Sequence, residues 1–212
     1  MRPEYEGLTA PIFVAADTLK AYQDLARFHR RRFAIPVVAV TGSVGKTSTR
    51  NMIATVLSEK YRVLQTEKNF NNEIGLPKTL LQLTPDHEAC VVEMGMRGLG
   101  QIAELAAIGE PTIGVVPNVG KSHIELLGSQ ENIAKAKAEL VQALDEKGTA
   151  VLNGDDPFVR PMTALCKGKT VLYGTDDQAA VRADHIVCDQ QGVRFHCSGA
   201  GQSFDVSVPV IG

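Results

Sequence analysis

From residue 34 onward, short runs of β-branched residues alternate with stretches in which apolar residues recur every three or four positions. The runs at 36–41, 62–66, 89–93, 112–117, 149–153 and 169–173 predict strands, because continuous apolar segments bounded by polar turns suit strands covered on both faces. The amphipathic stretches between most of them predict helices. Strand, helix, strand repeated five times predicts an α/β fold with a doubly wound, mostly parallel sheet. Ligands in such folds lie beyond the carboxyl ends of the strands, so the residues just after each strand are the first candidates for chemistry.

Upstream of the first strand, Asp17 can cap a helix on which Leu19, Tyr22, Leu25 and Phe28 recur at helical spacing. The basic run at 29–32 that ends it either complements the helix dipole or grips phosphate. After Gly174 the pattern changes to VRADHIVCD, GVRFHCSG and QSFDVSVPVIG, which alternate between Gly-containing turns and predict a small antiparallel β annex at the C-terminal end.

Composition narrows the function classes. With 22 Lys plus Arg against 24 Asp plus Glu, the 212-residue chain lacks the positive field of a general nucleic-acid binder. The longest apolar run, 34–40, is far shorter than the ~20 residues that cross a bilayer, and the N-terminal MRPEYEGLTA does not read as a leader, so a cytoplasmic protein is expected. Cys90, Cys166, Cys188 and Cys197 form no CxxC pair and suit reduced, structural thiols.

The strongest chemical signal is TGSVGKTS, comprising Thr41, Gly42, Ser43, Val44, Gly45, Lys46, Thr47 and Ser48. It is read as a phosphate loop of the Gly, four residues, Gly, Lys, Ser/Thr kind, set between a strand and a helix whose first N–H groups and dipole favour an anion. Lys46 would reach the terminal phosphates, and the Thr47 hydroxyl would coordinate magnesium. Such a loop also needs an acidic residue at a neighbouring strand end, and Glu93 closes an otherwise apolar run; the competing reading is an ordinary solvated carboxylate. Asn118 and His123 follow the next strand, where His123 is either a ligand or a polar surface residue. The Gly98–Gly100 pair reads as the turn before a helix at Gln101.

In ENIAKAKAELVQAL, residues Ile133, Lys137, Leu140, Val141 and Leu144 share one helical face while Lys135 points elsewhere. Lys137 is then either a snorkelling stem or a desolvated lysine with a lowered pKa. In TEKNFNNEIGLP, Asn69, Asn71 and Asn72 offer donors and acceptors suited to a polar substrate, though loop-forming propensity alone also produces such clusters.

Taken in order, TGSVGKTST, TEKNFNNEIGLP, VVEMGMRGLGQIAELA, NVGKSHIELLGS and IAKAKAEL resemble the central ATP-binding domain of the Mur ligase family over about residues 17–212. Within that family they are most similar to the branch that joins D-alanyl-D-alanine to UDP-N-acetylmuramoyl tripeptide. The resemblance implies a phosphate-loop NTPase type of fold and an ATP-dependent amide ligase working through an acyl phosphate. It implies Lys46 on the migrating phosphoryl group, magnesium on Thr47 and Glu93, a second magnesium on His123, and a carbamylated, metal-facing Lys137. Asn69, Asn71 and Asn72 would belong to the acceptor loop. The resemblance also divides the chain into the tail of an N-terminal domain with a lead-in helix at 1–33 and the central domain at 34–212. It further implies a cytoplasmic, monomeric full-length enzyme of peptidoglycan precursor synthesis, with no nucleic-acid partner. Because the family's flanking domains are not recognisable in the sequence, a core that is inactive alone is expected. Two alternatives stand beside this reading: an ATP-binding module that needs a complementing chain, and a different phosphate-loop enzyme such as a small-molecule kinase.

Overall fold

Strand β1 (Val37–Val40) is buried along its whole length and lies between β3 (Ala89–Glu93) and β4 (Ile113–Val116), both parallel to it. In this computed structural model, which describes residues 12–122 and 124–209, the remaining strands extend the sheet on either side. They are β2 (Val63–Gln65), β5 (Thr149–Asn153), β6 (Lys169–Gly174), β7 (Val181–Asp189), β8 (Gly192–Gly199) and β9 (Gln202–Val208). The order β2-β3-β1-β4-β5-β6-β7-β8-β9 reverses direction at β1, which makes the carboxyl end of β1 the switch point where such folds place ligands.

All six expected parallel strands form, three of them trimmed by one residue at each end and the last longer by one. The C-terminal annex also forms, but as a continuation of the main sheet. β7 runs parallel to β6 through Tyr173↔Val181 and Gly174↔Arg182, and the antiparallel ladder of β7, β8 and β9 grows outward from it. Residues 210–212, the end of the expected last strand, lie outside the described residues.

Period-two alternation sends Val38 and Val40 to one face of the sheet and Val37 and Ala39 to the other. The first face is covered by α2 (Lys46–Ser58), with Ala54 in a small apolar cluster beside Val91 and Val115. The second face carries the larger core, formed with α3 (Gly75–Leu80), α4 (Gln101–Gly109) and α6 (Gln130–Gln142), while α5 (Ile124–Leu127) leads into α6. Helix α6 approaches the sheet closely because Gly114 has no side chain. A Cβ there would lie 3.1 Å from Leu140 Cγ and 3.3 Å from Leu144 Cδ1. Leu140→Ala should therefore empty a fully buried site and cost about 2–5 kcal/mol of unfolding free energy in a denaturant titration. A loss below ~1 kcal/mol would mean that the site collapses around the smaller side chain.

Helix α1 (Thr18–Arg30) starts where the sequence places it, with the Lys20 amide donating to Asp17 Oδ1 at 2.9 Å. Its packing is less legible. Leu19, Leu25 and Phe28, which set its apolar period, are exposed, and the inward face carries Ala26 and Arg30. The reason is the end of α4, where Glu110 turns left-handed at φ 44° and leaves carbonyls without helical partners. The Arg30 guanidinium donates to the carbonyls of Gly109, Phe33, Ile35 and Glu110, and Arg27 and Arg31 donate to the Glu110 carboxylate. The basic run thus fastens α1 to α4. The Arg31 hydrogen bond, with help from Arg27, holds the Glu110 carboxyl below its ordinary range.

All four cysteines are unpaired. Burial in β3 pushes the Cys90 thiol up to about 12, so it stays neutral and packs as a small apolar side chain.

Candidate functional site

Beyond β1 the chain makes a short loop and enters α2. Only two residues separate Gly42 from Gly45, and the position five before Gly45 is Val40, a buried strand residue. The loop therefore departs from the four-residue spacing expected of it. Gly45, just before α2, has φ 74°, a backbone state that disfavours any side chain.

The loop is braced from the end of β4. Asn118 Oδ1 accepts hydrogen bonds from the Ser43 and Val44 amides, each at 3.0 Å, and its Nδ2 donates to the Val44 carbonyl at 2.9 Å. Ser43 Oγ donates to the Gly120 carbonyl, and Ser122 Oγ donates to the Ser43 carbonyl. The Thr41 hydroxyl, fully buried at the base of the loop, is without a partner among the described residues. Val44 and Ser48 are exposed. Asn118→Ala would leave amides unpaired and should cost about 1–3 kcal/mol in a denaturant unfolding titration. An unchanged midpoint would show that the loop stands without this brace.

Lys46 and Thr47 open α2. The Lys46 amine donates to the Gly42 carbonyl at 3.0 Å, and Thr47 Oγ1 donates to Glu93 Oε2 at 2.9 Å. Glu93 ends β3 only 2% exposed, which sets aside the solvated-carboxylate reading. A charge buried this deeply needs partners. Asn71 Nδ2 donates to Glu93 Oε1 at 2.8 Å, and Arg50 NH1 stands 3.7 Å from Oε2.

Lys137 is also 2% exposed, on the inner face of α6, whereas Lys135 is exposed. Burial, and secondarily the charge of Lys46, lowers the Lys137 ammonium from an ordinary 10.5 to about 7. This favours the desolvated-lysine reading, since a snorkelling stem would keep its amine in water. His123 lies outside the described residues.

A polar cavity of about 460 Å³ adjoins the loop, and Lys46, Asn69, Asn71 and Asn72 all line it. Gln23, Arg97, Gln101 and Glu104 contribute to its walls. The three asparagines divide their work. Asn71 holds Glu93, while Asn72 Oδ1 accepts from the Ile74 and Gly75 amides and so starts α3. Asn69 lines the cavity without a side-chain partner among the described residues. Gly95 allows this arrangement, because a Cβ there would come within 2.9 Å of the Asn71 carboxamide. A more open cleft of about 550 Å³ on the β7–β9 face, near His185 and His196, contains none of these groups.

Asn118, Arg50 and Gly95 complete the site; Asn118 and Gly95 fall inside family-like segments without a role read for them, and Arg50 lies just past the loop motif. Asn118 was visible only as a strand-end residue, and Arg50 sits inside a helix like any surface arginine. Among the described residues no three or more His, Cys, Asp or Glu side chains gather into a metal site. The Thr47–Glu93 pair is instead a two-oxygen donor set.

Residues 40–212 match the Mur ligase middle domain. A UDP-N-acetylmuramoyl-tripeptide–D-alanyl-D-alanine ligase from Synechocystis sp. is 49% identical over 187 residues, covering 86% of this chain and 41% of that protein. The MurF crystal structure I from Acinetobacter baumannii superposes with a TM-score of 0.90 at 29% identity, covering 98% of this chain and 46% of that one. The MurF ligase from Thermotoga maritima, solved in complex with ADP, gives 0.84 at 30% identity, covering 94% and 46%. The chain thus spans less than half the length of these relatives. A family match over residues 40–212, a span that includes the loop, the strand-end carboxylate and the buried lysine just described, shows that the protein belongs to the Mur ligase family and carries its middle domain.

Proposed function

We propose that the protein is the ATP-binding, carboxylate-activating core of an enzyme that joins D-alanyl-D-alanine to UDP-N-acetylmuramoyl tripeptide in peptidoglycan precursor synthesis. The observation that carries this reading is the Thr47 hydroxyl on the Glu93 carboxylate, beside Lys46 and within reach of a polar cavity. On this reading residues 34–212 form the central domain, residues 1–33 are the tail of a preceding one, and the complete enzyme works as a monomer in the cytoplasm. No helix among the described residues is long and apolar enough to cross a membrane.

The donor chemistry at Thr47 and Glu93 fits magnesium, which takes one or two protein oxygens and completes its shell with water and phosphate. Magnesium bound there would supply charge neutralisation on the nucleotide phosphates. His123 is assigned to a second magnesium. The amides at the start of α2 receive phosphate, and the Lys46 amine exchanges the Gly42 carbonyl for the transferring phosphoryl group. An oxygen of the acceptor carboxylate attacks the γ-phosphorus and ADP leaves. The incoming amine then attacks the acyl carbon, forming the amide and releasing phosphate that retains the acceptor's oxygen.

Lys137 is suited to carbamylation. With a pKa of about 7 its amine is substantially neutral near that pH and can attack carbon dioxide; an N–C bond forms and a proton leaves. The resulting anion would be compatible with a nearby bound cation, which an ammonium would repel.

Titration of the purified chain with a non-hydrolysable ATP analogue tests the nucleotide assignment. Saturable, magnesium-dependent binding is expected, and none in either condition rejects the assignment. With ATP, UDP-N-acetylmuramoyl tripeptide and D-alanyl-D-alanine, the chain alone should release phosphate slowly without forming pentapeptide. Positioning of the amine supplies roughly 7–11 kcal/mol of such a barrier, and that positioning is assigned to parts of the enzyme outside this chain.

A further inference from the structure

Arg50 is the least expected charge in the molecule. It lies on α2 one turn beyond Lys46, yet it is 4% exposed. Its guanidinium divides between two parts of the site. NH1 donates to the Lys68 carbonyl at 2.9 Å and stands 3.7 Å from Glu93 Oε2, while NH2 and Nε donate to Asn51 Oδ1 at 2.7 and 3.2 Å. Lys68 has φ 50°, an uncommon state for a residue with a side chain, and it immediately precedes Asn69 at the cavity wall. From there the chain returns to the same carboxylate through Asn71 Nδ2, at 2.8 Å from Glu93 Oε1. The Asn71 carbonyl also accepts from the Gly95 amide at 2.8 Å. The loop at 67–73 is thus tied at one end to Arg50 and in its middle to Glu93, while Glu93 is tied to Thr47.

We infer that Arg50 is a positioning residue that couples occupation of the nucleotide site to the order of the asparagine loop lining the acceptor cavity. The inference rests on the functional reading above. A nucleotide-bound cation held by Thr47 and Glu93 would take the place of the hydrogen bond between them. The fork on Arg50 keeps the Lys68 carbonyl in place, so the loop is drawn tight. A planar guanidinium can hold a carbonyl, an amide oxygen and a carboxylate together, whereas a lysine ammonium at the same position is a point charge on a flexible stem. Arg50 touches neither phosphate nor acceptor in this scheme.

Amide hydrogen exchange across residues 67–75 tests the coupling, with and without magnesium and a non-hydrolysable ATP analogue at concentrations that saturate each protein. In the parent chain the nucleotide should slow exchange in this loop by about tenfold. In Arg50→Lys and Arg50→Met the loop should exchange faster than in the parent before nucleotide is added, and the nucleotide should slow it by less than about threefold. The nucleotide-dependent difference is a quantity that a merely structural arginine would not move, and Arg50→Lys keeps the charge should Arg50→Met fail to fold. Parent-like slowing in Arg50→Lys overturns the inference, as does nucleotide binding to the parent without any change in the loop. Loss of all nucleotide binding in both variants also overturns it, by making Arg50 part of the binding site itself. A parent that binds no nucleotide rejects the functional reading and the coupling with it. In that case unchanged loop exchange in the ligand-free variants would further show that Arg50 does not hold the loop.

Discussion

Lys46→Ala should weaken binding of magnesium ATP by about 10- to 150-fold, the equivalent of the roughly 1.5–3 kcal/mol that a hydrogen bond to a charged group supplies. The amine sits on the Gly42 carbonyl at the mouth of α2, so it reaches the nucleotide by changing partner rather than by refolding the loop. Removing it leaves the α2 amides and the Asn118 brace intact. The loss should therefore concentrate in the phosphates beyond the first. Calorimetric titration with ATP, ADP and AMP analogues checks this: the variant should lose most of the parent's preference for the triphosphate. Equal affinities of parent and variant for ATP would remove Lys46 from the site. Removing its charge should also let the Lys137 ammonium rise from about 7, because Lys46 is one of the two causes that lower it.

Lys137 should make the chain's stability depend on pH in an unusual direction. In the unfolded chain the lysine takes up its proton below an ordinary 10.5, whereas in the fold it does so only below about 7. Between those values unfolding binds a proton, so stability rises with pH; below about 7 both states are protonated and the burial penalty is fully present; above 10.5 it is absent. In carbon-dioxide-free buffer the parent should gain about 1.4 kcal/mol per pH unit relative to Lys137→Met across that window. Parallel pH profiles for the two proteins would show that the amine reaches water. In the complete ligase, Lys137→Ala should lose about 10²- to 10³-fold in turnover, the usual cost of removing a preorganised charged group from a reacting centre. Short-chain carboxylic acids should restore part of it by replacing the missing carboxylate. Lys135→Ala, two residues earlier on the exposed face of the helix, should be nearly silent.

Local pattern carried much of this site. The uninterrupted apolar runs at 36–41 and 89–93 marked strands covered on both faces, and the same logic singled out Glu93 as a carboxylate in an apolar strand. The phase of α6 separated Lys137 from Lys135 because helical spacing is a property of neighbouring residues. What the pattern missed depends on contacts between residues far apart in sequence. Asn118 braces Ser43 across 75 positions, and Arg50 reaches the Lys68 carbonyl across 18. Helix α1 shows the opposite failure. Its strongest periodic residues, Leu25 and Phe28, face outward because Arg30 is drawn inward by carbonyls at the end of α4, a demand invisible from α1 itself. The joining of the C-terminal strands to the main sheet rests likewise on two residue pairs between β6 and β7.

The reading of these residues as a carboxylate-activating centre is tested most directly by following the acceptor's oxygen. UDP-N-acetylmuramoyl tripeptide labelled with ¹⁸O in its reacting carboxylate is incubated with the complete ligase, ATP, magnesium and D-alanyl-D-alanine, and the released phosphate is examined by ³¹P NMR. If the carboxylate attacks the γ-phosphorus and the amine later displaces phosphate, each pentapeptide formed is matched by one phosphate carrying a single ¹⁸O. Pentapeptide formation with unlabelled phosphate would mean that no acyl phosphate is made, and Lys46, Thr47 and Glu93 would then serve some other step.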